Sequence, residues 1–207
     1  ETRQAGIRTV VVTGDHTQTA TVVAQKLGFT ITPEQTVEGH QIEAMSDEVL
    51  QERSKTIALY ARVSPRHKLR IVQALQKNNE VVAMFGDGVN DAPALKASDI
   101  GVAVGTQVDA VREVADLVLL DIWMPDTDGI TLLKEWSKTG QLTMPVVMMS
   151  GHATIDTAVE ATRIGALNFL EKPIALQKLL KTVNKALELS PKYVEPEEEK
   201  AVQASAS

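Results

Sequence analysis

The chain has 207 residues, 43% of them hydrophobic, no cysteine and a formal net charge of −6. That length holds one large or two small domains with a proper core, and the acidic balance argues against a nucleic-acid-binding surface, which needs a basic patch. Without cysteine there is neither a disulfide nor a thiolate metal site, which fits a reducing, cytoplasmic setting.

No apolar run approaches the ~18 residues that cross a bilayer, and the opening Glu1-Thr2-Arg3-Gln4 carries no signal-peptide pattern. The expectation is a chain off the membrane, without the membrane half of an ion pump. In chain order, short apolar runs bounded by Gly, Pro or charge read as strands at residues 9–13, 57–61, 81–85, 100–104, 117–120, 146–149 and 167–170. Such runs suit strands buried on both faces of a parallel sheet. Helical patterns alternate with them at 17–27, 65–77, 108–115, 130–136, 155–164 and 176–187. The first has Thr17 near its start and Gly28 just past its end, as helix-stop chemistry prefers. The second carries Leu69, Val72, Ala74 and Leu75 on or near one face. This alternation predicts an α/β fold, a doubly wound, mainly parallel sheet with right-handed crossovers. Ligands of such sheets sit beyond the carboxyl ends of the strands. Residues 30–55 break the rhythm, with a helical or loop excursion expected around 46–53. The tail over 189–207, with Glu195-Pro196-Glu197-Glu198-Glu199, is acidic and poor in bulky apolar residues, so it is expected to be disordered.

Three segments over residues 6–121 carry the first chemical pattern: GIRTVVVTGDHTQTA, ARVSPRHKLRIVQAL and VAMFGDGVNDAPALKASDIGVAVG. Together they resemble the phosphorylation domain of P-type cation ATPases, within the haloacid-dehalogenase-like superfamily. The resemblance implies that Thr13, Gly14 and Asp15 line a phosphate site, that Lys68 neutralises phosphate charge, and that Asp87 and Asp91 hold Mg²⁺. The residue types suit those roles. Magnesium is hard, takes carboxylate oxygens and keeps several waters, while Gly86 and Gly88 permit a tight path between strand and helix. Asp91 also reads as a cap for the following helix, with Pro93 in its first turn. The family's phosphorylated aspartate lies in an Asp-Lys-Thr-Gly-Thr segment that this sequence lacks. ATPase activity by the family mechanism is therefore not expected.

A second pattern occupies residues 115–187: DLVLLDIWMPDTDGITLLKEW, MPVVMMSGHATIDTAVEATRIGA and LNFLEKPIALQKLLKTV. It resembles the C-terminal two-thirds of a response-regulator receiver domain of the nitrogen-regulation type. That resemblance implies Asp121 as the acceptor of phosphate from a histidine kinase or a small phosphodonor. It also implies that Ser150 contacts the phosphoryl group, Lys172 pairs with its charge, and Phe169 stands at an aromatic switch position. The Lys172–Pro173 bond would be cis, and the backbone carbonyl of Trp123 would be a Mg²⁺ ligand. A carboxylate nucleophile needs a cation to offset its own charge and that of the incoming phosphate. A hydroxyl and an ammonium at neighbouring strand ends can grip the product oxygens. Singly, Ser150 could instead cap the next helix and Lys172 could be a solvated end.

The chain thus reads as a chimera, in which residues 81–121 of the first pattern complete a receiver-like unit with the second. Residues 80–188 supply five strands and five helices in receiver order, so the expected organisation is a segment at 1–80, a receiver-like unit at 81–188 in strand order 2-1-3-4-5, and the tail. In that register Asp87 takes one of the receiver's paired-acid positions and Gly86 the other. A further expectation is that Asp87, Asp91 and Asp121 form one Mg²⁺ site. The alternatives are a haloacid-dehalogenase-like remnant with weak phosphatase activity and a fold chimera without a selected function. His16, His40, His67 and His152 share no zinc spacing and read as surface residues, with His152 close to Ser150. Trp123 and Trp136 read as packing residues, and Gly105-Thr106-Gln107 lacks the lysine and spacing of a P-loop. The apolar stripe over 176–187 either covers the sheet or mediates a homodimer through this C-terminal face.

Overall fold

The computed structural model describes residues 6–105, 109–124, 127–151 and 154–189. The acidic tail from Ser190, together with Thr106, Gln107 and His152, lies outside them. The chain forms two compact units, Glu1–Ala115 and Asp116–Ser207, whereas the sequence pattern groups residues 81–188. No described helix is long and apolar enough to cross a membrane.

The first unit runs β1 (Val11–Val12), α1 (Thr17–Lys26), β2 (Thr36–Glu38), α2 (Gly39–Ala44), α3 (Asp47–Ser54), β3 (Leu59–Ala61), α4 (Pro65–Lys77), β4 (Ala83–Gly86), α5 (Ala92–Ala97), β5 (Ile100–Val104) and α6 (Asp109–Arg112). Short 3-10 turns precede β2 at Pro33–Gln35 and α5 at Val89–Asp91. β1, β3 and β2 form a parallel sheet in that order, and β4 pairs in parallel with β5. Helix α4 has a well-marked start: the Ser64 hydroxyl accepts from the His67 amide and Pro65 takes the first helical position. Ile71, Ala74 and Leu75 of its buried face join Val37, Ile42, Leu50, Ile57 and Tyr60 in the core, and Val72 is buried as well.

Three expectations need correction here. Residues 30–55 contain a third parallel strand, β2, in addition to helices. Val37 is 1% exposed and paired with Tyr60, so one buried valine and the β3 edge make a strand that a three-residue run cannot announce. His67 is buried, not superficial: its Nδ1 accepts from the Ser64 amide at 3.1 Å and its Nε2 lies 3.2 Å from Glu43 Oε1. Finally, β5 is the one strand partner of β4 among the described residues. A receiver order of 2-1-3-4-5 would flank β4 on both sides. The exposure of Val81 and Phe85 beside and within β4 fits an edge position.

The second unit runs β6 (Leu117–Asp121), α7 (Gly129–Thr139), β7 (Val146–Ser150), α8 (Ile155–Ile164), β8 (Asn168–Glu171) and α9 (Leu176–Leu187). β6, β7 and β8 are parallel neighbours, with Asp121 opposite Met149 and Ser150 opposite Glu171. Residues 117–120 and 146–150 are buried throughout, as strands covered on both faces require. Thr182, Ala186 and Leu187 of α9 are buried and the helix packs on β6 and β8, so its apolar stripe covers the sheet. In both units parallel strands alternate with helices, the expected α/β class.

Candidate functional site

The register of β6, β7 and β8 brings Asp121, Ser150 and Lys172 to the same end of the sheet. The Lys172 ammonium donates to Asp121 Oδ2, and the Lys172 amide donates to the Ser150 carbonyl at 2.8 Å. The Lys172–Pro173 bond is cis. Asp121 Oδ1 accepts from the Trp123 amide at 3.3 Å. Behind it the chain doubles back: the Gly129 amide donates to the Ile122 carbonyl at 2.9 Å, and a Cβ at Gly129 would collide with the Asp121 carbonyl oxygen. Only glycine allows that close approach. Asp128 then caps α7 by accepting from the Thr131 amide.

The Lys172–Asp121 pair is partly exposed, 43% and 24% at the side chains, where an ion pair contributes only about 0–1 kcal/mol to stability. Its value is chemical, holding a carboxylate and a cation together at a strand end. Ser150 is fully buried, and α8 is capped by Thr154, which accepts from Thr157, so Ser150 is not the helix cap. Phe169 lies in β8, partly buried. Trp123 corrects another expectation: it is 73% exposed beside Asp121, while Trp136 at 2% does pack in the core.

In the first unit the loop after β4 carries the second group. Asp87 is exposed, whereas Asp91 is buried. Asp91 makes no side-chain cap to α5; its Oδ1 accepts from the Lys68 ammonium of α4 at 2.5 Å instead. Its Oδ2 takes the Gly88 amide at 3.4 Å. A Cβ at Gly86 would stand 2.5 Å from Asp91 Cβ, so the absent side chain at 86 leaves a cradle that the Asp91 carboxylate fills. At the end of β1 the Thr13 hydroxyl accepts from the Asp15 amide at 3.1 Å, and Gly14 lies between them. The Val63 amide to the Thr13 carbonyl and the Arg62 amide to the Asp15 carbonyl tie this turn to the end of β3.

The chain matches the response regulator receiver domain family over residues 70–184. It belongs to that family. The receiver match takes in the loop with Asp87 as well as Asp121, Ser150 and Lys172. A second match, to haloacid dehalogenase-like hydrolases, covers residues 1–99, so receiver and hydrolase-like sequence are both present and overlap between 70 and 99. Among curated proteins, a calcium-transporting ATPase of Listeria monocytogenes is 47% identical over 121 residues, 58% of this chain and 14% of its own length. One of Bacillus subtilis is 43% identical over 142 residues, 68% of this chain and 15% of its own. The human calcium-transporting ATPase type 2C member 1 is 48% identical over 118 residues, 56% of this chain and 13% of its own. The receiver-family chain thus spans a small fraction of the transporters it resembles.

Asp87 and Asp91 belong to the first unit and Asp121 to the second. Among the described residues no three His, Asp or Glu side chains gather as a metal cage. A hard cation bound by one or two carboxylates and otherwise by water and phosphate does not need one. The Asp91 cradle with Asp87 beside it, and Asp121 with the Trp123 carbonyl, are each compatible with that mode.

Sequence reading missed a third group, at the ends of β1, β2 and β3. Glu38 Oε1 accepts from the Thr17 hydroxyl at 2.5 Å, and Glu38 Oε2 lies 3.3 Å from His40 Nδ1. The Thr17 hydroxyl holds the Glu38 carboxyl below its ordinary range, with smaller help from Arg62, His40 and His16. Arg62 adopts a left-handed φ of 51°, uncommon for a residue with a side chain. A run of mixed polar residues far apart in the chain gives no periodic signal for such a cluster.

Proposed function

We propose that the chain is a receiver-type phosphate acceptor, with Asp121 the residue that takes the phosphoryl group. The contact of the Lys172 ammonium with the Asp121 carboxylate, at the same end of a parallel sheet, carries this reading. In the reaction a carboxylate oxygen of Asp121 attacks phosphorus, the bond from phosphorus to the donor's leaving group breaks, and the leaving group departs with the electron pair. Lys172 holds one of the charged oxygens of the transferred group, and the Trp123 amide steadies the other carboxylate oxygen of Asp121. Ser150, at the end of the neighbouring strand, would contact the phosphoryl group through its hydroxyl. Mg²⁺, when bound by Asp121 and the Trp123 carbonyl, would supply the charge neutralisation that phosphoryl transfer needs. A histidine kinase or a small phosphodonor is the donor class. A cytoplasmic setting belongs to the same proposal, and the cysteine-free sequence fits it.

Incubation with acetyl phosphate and Mg²⁺, followed by mass spectrometry, tests the proposal. The expected result is one acyl-phosphate adduct, mapped to Asp121 and lost in Asp121→Asn. No adduct at saturating donor would overturn it.

A second reading draws on the Lys68–Asp91 pair and the hydrolase-like match. Asp87 and Asp91 would hold Mg²⁺, and Lys68 with Thr13, Gly14 and Asp15 would receive phosphate, as in a haloacid-dehalogenase-like phosphatase remnant. Turnover of p-nitrophenyl phosphate that depends on Asp87 and persists in Asp121→Asn would favour this reading over the first.

A further inference from the structure

Two strands of the first unit have an open edge. Among the described residues β1 pairs with β3 alone and β4 with β5 alone. The Val11 and Thr13 amides donate to the Ala58 and Tyr60 carbonyls, so the alternate residues Val10 and Val12 turn their backbone groups to the other side. Just before β4 the Val82 carbonyl accepts from the Asp99 and Ile100 amides on the β5 side. By the same alternation Ala83 and Phe85 direct their backbone groups away from β5. Such rows of N–H and C=O groups are templates for an added strand. Burial agrees. Residues 10–13 are only half-buried, and Val81 and Phe85 are 80% and 51% exposed, although both runs have the composition of strands covered on both faces.

The two edges flank one position. Val10, Val12 and Val82 all pack on the same core, which includes Ile57, Tyr60 and Leu75. Arg8 Nη2 donates to both Glu80 carboxylate oxygens at 2.8 Å. Arg8 stands three residues before β1 and Glu80 three residues before β4, so the strands start level and run in the same direction. Strands two places apart lie about 10 Å from each other, a gap that two long side chains meeting end to end can span. At the carboxyl ends Asp15 follows β1 and Asp87 follows β4, both exposed. Lys68 is already engaged by Asp91, which leaves this rim acidic.

Every described strand is already paired along at least one edge, so a second copy has none free on both sides to enter a position between two strands. The acidic tail offers no apolar run longer than Tyr193-Val194 or Ala201-Val202. We propose that the position between β1 and β4 binds an extended segment of another polypeptide. The segment is about five apolar, β-branched residues running parallel to both strands, followed by lysine or arginine. Its backbone bonds to Val10 and Val12 on one side and to Ala83 and Phe85 on the other. Alternate side chains cover the core face marked by Val10, Val12 and Val82, and the cationic end meets Asp15 and Asp87.

Titration of the full chain into the fluorescein-labelled peptide TVIVVKK, followed by anisotropy, is the test. Saturable binding is expected. Hydrogen exchange should be fast at the Val10, Val12, Ala83 and Phe85 amides of the free chain and about tenfold or more slower with the peptide bound. The peptide TVPVVKK lacks a backbone donor, and TVIVVEE sets acid against Asp15 and Asp87. Each should bind about tenfold more weakly or worse. Ala83→Pro removes an outward donor and spares the β4–β5 ladder, so it should weaken TVIVVKK binding to a similar degree. If that variant does not fold, the peptide series and the exchange rates decide. The proposal is overturned by an absence of saturable binding or by equal binding of either altered peptide. It is overturned as well if the four amides are already protected in the free chain.

Discussion

The ammonium of Lys68 and the carboxylate of Asp91 meet at 2.5 Å with only 14% and 8% of their side chains exposed. The two residues are 23 positions apart, one on the first turns of α4 and the other at the end of the loop after β4. The pair ties that loop to α4, and so fixes where Asp87 is offered.

Burying two charges has a large desolvation cost, which their mutual attraction offsets only while both are present. Lys68→Met therefore leaves the Asp91 carboxylate buried and unpaired, and should destabilise the chain by about 3–5 kcal/mol. The double variant Lys68→Met/Asp91→Leu should recover much of that loss. Urea unfolding of the three proteins measures both, and a single variant as stable as the native chain would refute the account.

Gly86→Ala tests the cradle directly. The new Cβ would fall 2.5 Å from Asp91 Cβ and 2.8 Å from its Cγ, neither of them a flexible end. The loop must shift or the Lys68 pair must lengthen, at about 1–3 kcal/mol, the usual range for overpacking a tight site. Thermal unfolding should show the loss, while Gly88→Ala, whose Cβ would come no closer than 3.9 Å to Asp91, should show much less from contact.

The α/β class was legible because alternating apolar runs and amphipathic helices have periods that no other arrangement shares. The convergence of Asp121 and Lys172 was legible for a related reason: both end short apolar runs, and parallel strands bring their carboxyl ends to one side. What escaped reading depended on contacts between distant segments. β2 exists because Val37 finds a place in a core built by α3, α4 and β3. His67 is buried because Ser64 and Pro65 start a helix that turns position 67 inward. Trp123 is exposed just past the end of β6, where Gly129 comes back against the Asp121 carbonyl. None of these leaves a periodic trace.

Tyr60 offers a test of the first unit's core. Its hydroxyl is buried with no hydrogen-bond partner among the described residues. Burial pushes its pKa up from 10.0 to about 12. The folded state thus holds the proton more tightly than the unfolded one. This contribution to stability is complete below about pH 10 and is lost as pH rises toward 12, at a rate of about 1.4 kcal/mol for each pH step of one between those limits. Tyr60→Phe removes an unsatisfied hydroxyl at constant shape, so at neutral pH it should be neutral or stabilising by up to about 1–2 kcal/mol. At alkaline pH it should abolish the steepest part of the decline. Denaturant unfolding from about pH 8 to 12 in both proteins would show the two curves diverging; parallel curves would refute the assignment.

Glu38 carries the opposite sign. The Thr17 hydroxyl donates to its carboxylate and lowers its pKa from the ordinary 4.5. A depressed carboxyl binds its proton less tightly when folded, so its contribution to stability is present above that ordinary value and is lost as pH falls through the lowered one. Replacing Thr17 with valine keeps the shape and removes the donor. The Glu38 carboxyl, followed by carbon-detected NMR titration, should then move up toward 4.5, with Arg62 and His40 sustaining only a smaller residual depression. A Glu38 midpoint that does not move in Thr17→Val would mean that Arg62, in its left-handed conformation at the end of β3, sets the charge balance there instead.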